Sequence, residues 1–235
     1  MSDKIATTVQ IKGFPLIKFQ SAENIKQLQQ GNVYMKNLEW LRQHETNSGD
    51  CVVGDLFEAS LHFNEAKLII PELGKEIDIK DGLMPTSYSF DFVFCMFGIN
   101  PDSHIFEFTN EQKKEIANFG DTALLITDKD EYFHRMFIAI EKAGLKGYHG
   151  FVEYYDEHID SVNLFAKLIK GMEKIAFLKR DKYRYQQEYR FLIHMDKATE
   201  DHIELNIGDI SDISRVMKTS TILNSMAIQH ETENS

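Results

Sequence analysis

The stretch SFDFVFCMFGI, residues 89–99, constrains the fold more than any other part of this 235-residue chain. Aromatic and β-branched side chains suit extended backbone, and a run this apolar must be covered on at least one face by packed structure. It therefore reads as a long buried strand. Shorter strands are expected around it: FPLIKFQ, NVYMKN, TALLIT, YHGFVEYY and HIELNIGD, with AKLIIP and KEIDIK forming a hairpin turned by PELG.

The helices stand apart from the strands in sequence. SAENIKQLQQG offers Ser21 as a cap, Ile25 and Leu28 as a buried stripe and Gly31 as a stop. LEWLRQHE reads as a helical turn, and NEQKKEIANFG as a helix ending at Gly120. In DEYFHRMFIAIEKAG the apolar side is Phe133, Met136, Phe137 and Ile140. In SVNLFAKLIKGMEKIAF it is Val162, Phe165, Ile169, Met172 and Ala176. This order predicts an α+β protein with mixed or antiparallel sheets and flanking helices. No linker marks a boundary, so one domain over 1–228 is expected, with 229–235 as a disordered tail.

The formal net charge of -11 argues against a surface built mainly to hold nucleic acid, although it leaves room for a local basic groove. The two cysteines, Cys51 and Cys95, have neither metal-type spacing nor the density of a disulfide framework. MSDKIATTVQ carries no apolar leader, and no run approaches the roughly 20 apolar residues of a membrane span. A cytoplasmic protein without a membrane partner is expected. P-loop, G-x-G-x-x-G, G-x-S-x-G and H-E-x-x-H patterns are all missing.

Three blocks carry candidate chemistry. In the first, a strand ending in Lys18 and Phe19 leads through a helix to a second strand bearing Tyr34. Read alone, it is an ordinary β-α-β opening. In the second, Asp50, Asp55 and Glu58 fall in or beside a loop. Carboxylates there order a loop through backbone N–H groups more readily than they hold a metal, and no metal is expected.

The third block is RDKYRYQQEYRFLI, residues 180–193. If it is a strand throughout, Gln186, Glu188 and Arg190 share one face and Tyr189, Phe191 and Ile193 the other. The Q-x-E pair suits the breaking of a glycosidic bond. A fixed carboxylate steadies positive charge at the anomeric carbon, and the glutamine amide donates a hydrogen bond that an ionised carboxylate cannot. The plainer reading is an exposed strand face with Glu188 paired to Arg190 or a neighbouring lysine.

In order, QGNVYM, NLEWLRQHE, GDLFEAS and KRDKYRYQQEYRFLI resemble an outline shared by a broad bacterial group, covering residues 14 to about 195. The outline is G-x-(I/V)-Y, an aromatic–charged segment, D-x-x-E, and a lysine before E-x-R. It also looks like the ADP-ribosyltransferase scaffold. That resemblance implies an NAD-using mono-ADP-ribosyltransferase-like enzyme, of the toxin or phage-defence kind, modifying a protein or nucleic-acid acceptor. It would make Glu188 the catalytic acid and Gln186 its partner, with Tyr34 stacking on nicotinamide. Lys18 would stand where that family carries Arg or His, and Phe19 and Arg190 would lie beside the nucleotide. Two other readings stay open. One is a metal-dependent nuclease using Asp55, Glu58 and Glu188 with Lys179 or Lys182; the other is a non-catalytic sensor or interaction protein.

Overall fold

The computed structural model describes residues 9–48, 55, 57–70, 74–85, 91–100, 105–156, 172–195 and 200–229. The protein is α+β, with mostly antiparallel strand pairing and flanking helices. Among the described residues no helix is long and apolar enough to cross a membrane. The chain divides into two compact units. One comprises Met1–Val33, Met96–Ala139 and Leu205–Ser235, and the other Tyr34–Cys95 and Ile140–Glu204. Both are discontinuous in sequence, so no linker marks their boundaries.

In the first unit, strand Leu16–Gln20 pairs antiparallel with Thr122–Ile126 and with Phe97 and Gly98. Strand Ser214–Lys218 pairs on the other side of Thr122–Ile126. Helix Ala22–Gln29 begins where the Ser21 side chain accepts from the Asn24 N–H, and it buries Ile25 and Leu28. Helix Asn110–Ile116 starts with a capping box between Thr109 and Gln112. Gly31 adopts φ 97°, and a Cβ there would lie 2.2 Å from the Gly208 carbonyl oxygen, so glycine is required both by conformation and by space. Phe19, Phe97, Phe106 and Phe108 fill the core with mostly edge-to-face contacts.

In the second unit, Lys36 and Asn37 pair with Val93 and Phe92. Strand Glu188–His194 pairs with the strand that begins at Phe92 and, antiparallel, with Lys146–Phe151. The expected hairpin is present and longer than the sequence suggests, Ser60–Ile70 against Lys75–Pro85. Leu178–Arg180 pairs in parallel with Glu153–Tyr155. Leu38, Val93, Ile175, Ala176, Leu178 and Leu192 are central to this unit's core.

Some elements differ from expectation. LEWLRQHE is part of a full helix, Leu38–Ser48. Its start is tied by the Asn37 side chain, which accepts from the Trp40 N–H at 2.7 Å. The expected helix across 161–177 lies mostly outside the described residues, Phe165 and Ile169 included, and its last six, Met172–Phe177, form a 3-10 helix. In helix Lys129–Lys142 the buried stripe is Tyr132, Met136, Ala139 and Ile140, while Phe133 and Phe137 are half-buried. The stripe is rotated by one position, because size alone does not choose which flank of an apolar face turns inward. The expected tail lies outside the described residues except for Gln229, which ends strand Ala227–Gln229.

Phe97 touches Phe19, Phe106 and Phe108 in the interior. Phe97→Ala is expected to cost about 3–5 kcal/mol in denaturant unfolding, the range for an aromatic deleted from a packed core. Phe137→Ala, at a half-buried position, should cost less; equal losses would contradict this placement.

Candidate functional site

Strand Glu188–His194 is buried over its first six residues, so the Glu188 face does not meet water. Gln186 does not belong to the strand. It closes the 3-10 helix Asp181–Gln186, and Gln187 then takes a left-handed conformation, φ 39° and ψ 52°. That turn, and not strand alternation, brings Gln186 beside Glu188. Glu188 and Arg190 do share a strand face, and His194, further along it, meets Asp91 through Nδ1 at 2.8 Å.

A closed set of charges lies on this face. Arg190 donates from Nε to Glu188 Oε2 at 2.7 Å. Its Nη1 and Nη2 grip both oxygens of Glu58 at 2.5 and 3.1 Å, and Nη1 also reaches the Ala176 carbonyl at 2.5 Å. Lys179 donates to Glu188 Oε1 at 2.5 Å and to Gln186 Oε1 at 2.6 Å, and lies 4.0 Å from Glu58. Its ammonium also stands 4.6 Å from the Tyr183 ring centre. Beside this set, Arg180 donates to Asp55 at 2.9 Å and lies over the Phe57 ring. Asp55 in turn accepts from the Phe57 N–H at 3.1 Å, the loop-ordering role expected of it. All of these charged side chains are buried.

Electrostatics separates the two glutamates. Burial alone would raise the Glu188 carboxyl, but Arg190 and Lys179 outweigh it and hold the group well below the ordinary carboxylate range. In Glu58 burial prevails over the pull of Arg190 and Lys179, and the carboxyl sits above its ordinary range. Burial would lower Lys179, yet Glu188 and Glu58 keep it above its usual value. Glu188 is thus a fixed anion and not a proton donor.

The backbone is strained at both glutamates. Among the described residues the non-glycine positions with positive φ are Ala59, φ 50°, and Gln187. Ala59 follows Glu58 and Gln187 precedes Glu188. Such conformations cost of order 1–3 kcal/mol each and persist where surrounding contacts impose them. The Tyr154 hydroxyl accepts from the Glu188 N–H at 2.9 Å and fixes the start of the strand immediately after the strained residue.

Lys18 and Phe19 belong to the first unit. Lys18 is half-buried, and Phe19 is a core ring packed on Phe97 and Phe108. Tyr34 is exposed in the second unit and stacks on His202 at 4.9 Å, with Lys36 5.5 Å from its ring centre. Glu58, read from sequence as a loop-ordering carboxylate or part of a nuclease site, and Lys179, read as the lysine before E-x-R or part of that same site, prove to be partners of Arg190 and Glu188. Tyr154 and the two strained turns carry no signal in the sequence. Asp50 lies outside the described residues. Compared with known proteins, the chain matches no family, no curated protein and no solved structure.

Glu188→Gln is nearly isosteric, but the carboxylate it removes is buried between two cations. Removing one partner of a buried pair leaves uncompensated charge, and the substitution should cost about 3–5 kcal/mol in denaturant unfolding. The pH dependence follows from the lowered Glu188 carboxyl. Its stabilisation is fully present above the ordinary value of 4.5 and is lost as pH falls from there toward the folded-state value. Wild-type stability should therefore drop below pH 4.5 more steeply than that of Glu188→Gln; parallel profiles would remove Glu188 as the source.

Proposed function

We propose that the chain is an ADP-ribosyltransferase-like enzyme acting on NAD, with Glu188 as the fixed negative charge beside the ribosyl centre. The observation that carries the reading is the immobilised, ionised Glu188 carboxylate, held by Lys179 and Arg190 next to Gln186. In such a reaction the bond between the anomeric carbon and nicotinamide breaks, and its electron pair leaves with neutral nicotinamide. An acceptor nucleophile then bonds to the same carbon and releases its proton to water. A carboxylate that remains ionised can steady the developing cation and accept from a ribose hydroxyl, whereas it cannot supply a proton. Gln186, whose amide nitrogen lies 3.3 Å from the Tyr185 hydroxyl, supplies a donor.

Two further points support the reading. Buried ion clusters are a poor route to stability, since well-packed apolar groups of the same volume serve at least as well. Backbone strain placed at both glutamates is the pattern of a site whose geometry matters. The nuclease alternative asks Asp55, Glu58 and Glu188 to share a metal. Each carboxylate instead accepts from Arg180, Arg190 or Lys179.

One observation favours a second reading. Both oxygens of Glu188 already have cationic partners, and the residue is only 7% exposed. A non-catalytic interaction protein would use the same cluster as an internal tie between the turn at 57–59 and the strand. Nicotinamide release from NAD, measured with protein and nucleic-acid acceptors, separates the two. Gln186→Ala leaves the charges of the cluster in place, and it should lower the rate on the order of a hundred-fold or more, as removal of one well-placed donor does. A wild-type protein that releases no nicotinamide would hand the function to the second reading.

A further inference from the structure

Glu188 is held by its main chain as well as by its carboxylate. The antiparallel register that sets Phe151 opposite Tyr189 brings Val152 opposite Glu188, and the Val152 N–H donates to the Glu188 carbonyl at 2.9 Å. In a regular hydrogen-bonded pair the Glu188 N–H would go back to the Val152 carbonyl. It goes instead to the Tyr154 hydroxyl at 2.9 Å. Beyond Val152 the chain enters strand Glu153–Tyr155, which pairs in parallel with Leu178–Arg180 and sets Tyr154 opposite Lys179. Lys179 donates to Glu188 Oε1 at 2.5 Å, and Arg190 to Oε2 at 2.7 Å. Two facing residues of one strand pair thus grip Glu188 at its amide and at its carboxylate.

A phenol suits this place. Burial, and after it the Glu188 carboxylate, push its ionisation well above the ordinary value. It therefore keeps its proton and adds no negative charge beside the carboxylate. Arg184 pins the same residue, donating to the Tyr154 carbonyl at 3.4 Å with its guanidinium 5.6 Å from the ring centre. The amide that Tyr154 holds follows Gln187, whose φ is 39°. A strained residue of this kind relaxes unless its flanks are tied. Relaxation here would move the main chain of Glu188 and carry the carboxylate away from Lys179 and Arg190.

We propose that Tyr154 is a positioning residue: its hydroxyl, acting through the Glu188 amide, sets where the Glu188 carboxylate stands between Lys179 and Arg190. The proposal rests on the reading of Glu188 as the charge beside the ribose and adds the group that aims it. Tyr154→Phe keeps the ring and removes the hydroxyl. It should lower kcat for nicotinamide release about tenfold or more and change KM less than about twofold, since a slightly misplaced catalytic group costs rate and not substrate binding. A second readout needs no substrate. Lys179 and Arg190 face the carboxylate directly, and Glu58 lies on the far side of Arg190. A displaced carboxylate loses part of the pull of the two cations, so the stability of Tyr154→Phe should fall less steeply below pH 4.5 than that of the wild type. Tyr148→Phe, at an exposed position, should change neither readout. An acid limb in Tyr154→Phe that matches the wild type overturns the proposal, whatever the rate does. So does a raised KM at unchanged kcat, or a variant that no longer folds. A flattened acid limb beside a wild-type protein that releases no nicotinamide keeps the hold of Tyr154 on Glu188 and removes the ribosyl-transfer reading.

Discussion

The second unit depends on the buried guanidinium of Arg190. It is 1% exposed, and its donors reach Glu188, both oxygens of Glu58 and the Ala176 carbonyl. A planar fork with several donors in fixed directions can hold a strand, a turn and a 3-10 helix at one point. Lysine at this position would offer a point charge without that geometry. With Lys179 closing the other side of Glu188, the arrangement is tolerable only as a whole. Each ion is compensated by its neighbours, and loss of any one leaves another in a medium that solvates it poorly.

A buried ion cluster is a costly way to hold a fold together. The first unit shows the cheaper solution, a core of phenylalanines that needs no charge pairing. The second unit has an apolar core as well, through Leu38, Ile175 and Leu192, and places the ions beside it. It also takes positive φ at Ala59, just after Glu58, and at Gln187, just before Glu188. Two carboxyls in one cluster are pushed apart, one held ionised by Arg190 and Lys179 and the other raised by burial. The strain, the charge pairing and the separation of the two carboxyls all act on Glu188 and Glu58.

Much of the local structure was legible in the sequence. Ser21 and Gly31 bracket a helix at those positions, the strands on either side of PELG pair as a hairpin, and TALLIT and HIELNIGD carry strands. These signals are written in neighbouring residues through capping, turn chemistry and periodicity, so they survive without knowledge of the rest of the chain. The α+β class followed from their order.

The site was legible only in part. The sequence singled out Gln186, Glu188 and Arg190 because a strand pattern places like residues on one face. It missed that Gln186 arrives through a 3-10 turn, since nothing local distinguishes Gln187 as left-handed. It also read the Glu188 face as open to a ligand or to water, whereas the structure buries it. Alternation says which side chains share a face but not what covers that face. Arg190 and Glu58 lie 132 positions apart, and their contact exists only once hairpin, strand and turn have packed together. The sequence by itself determined the elements and the residue types available for chemistry. Tertiary structure alone decided which charges meet, because burial and pairing are properties of what surrounds a residue and not of its neighbours in the chain.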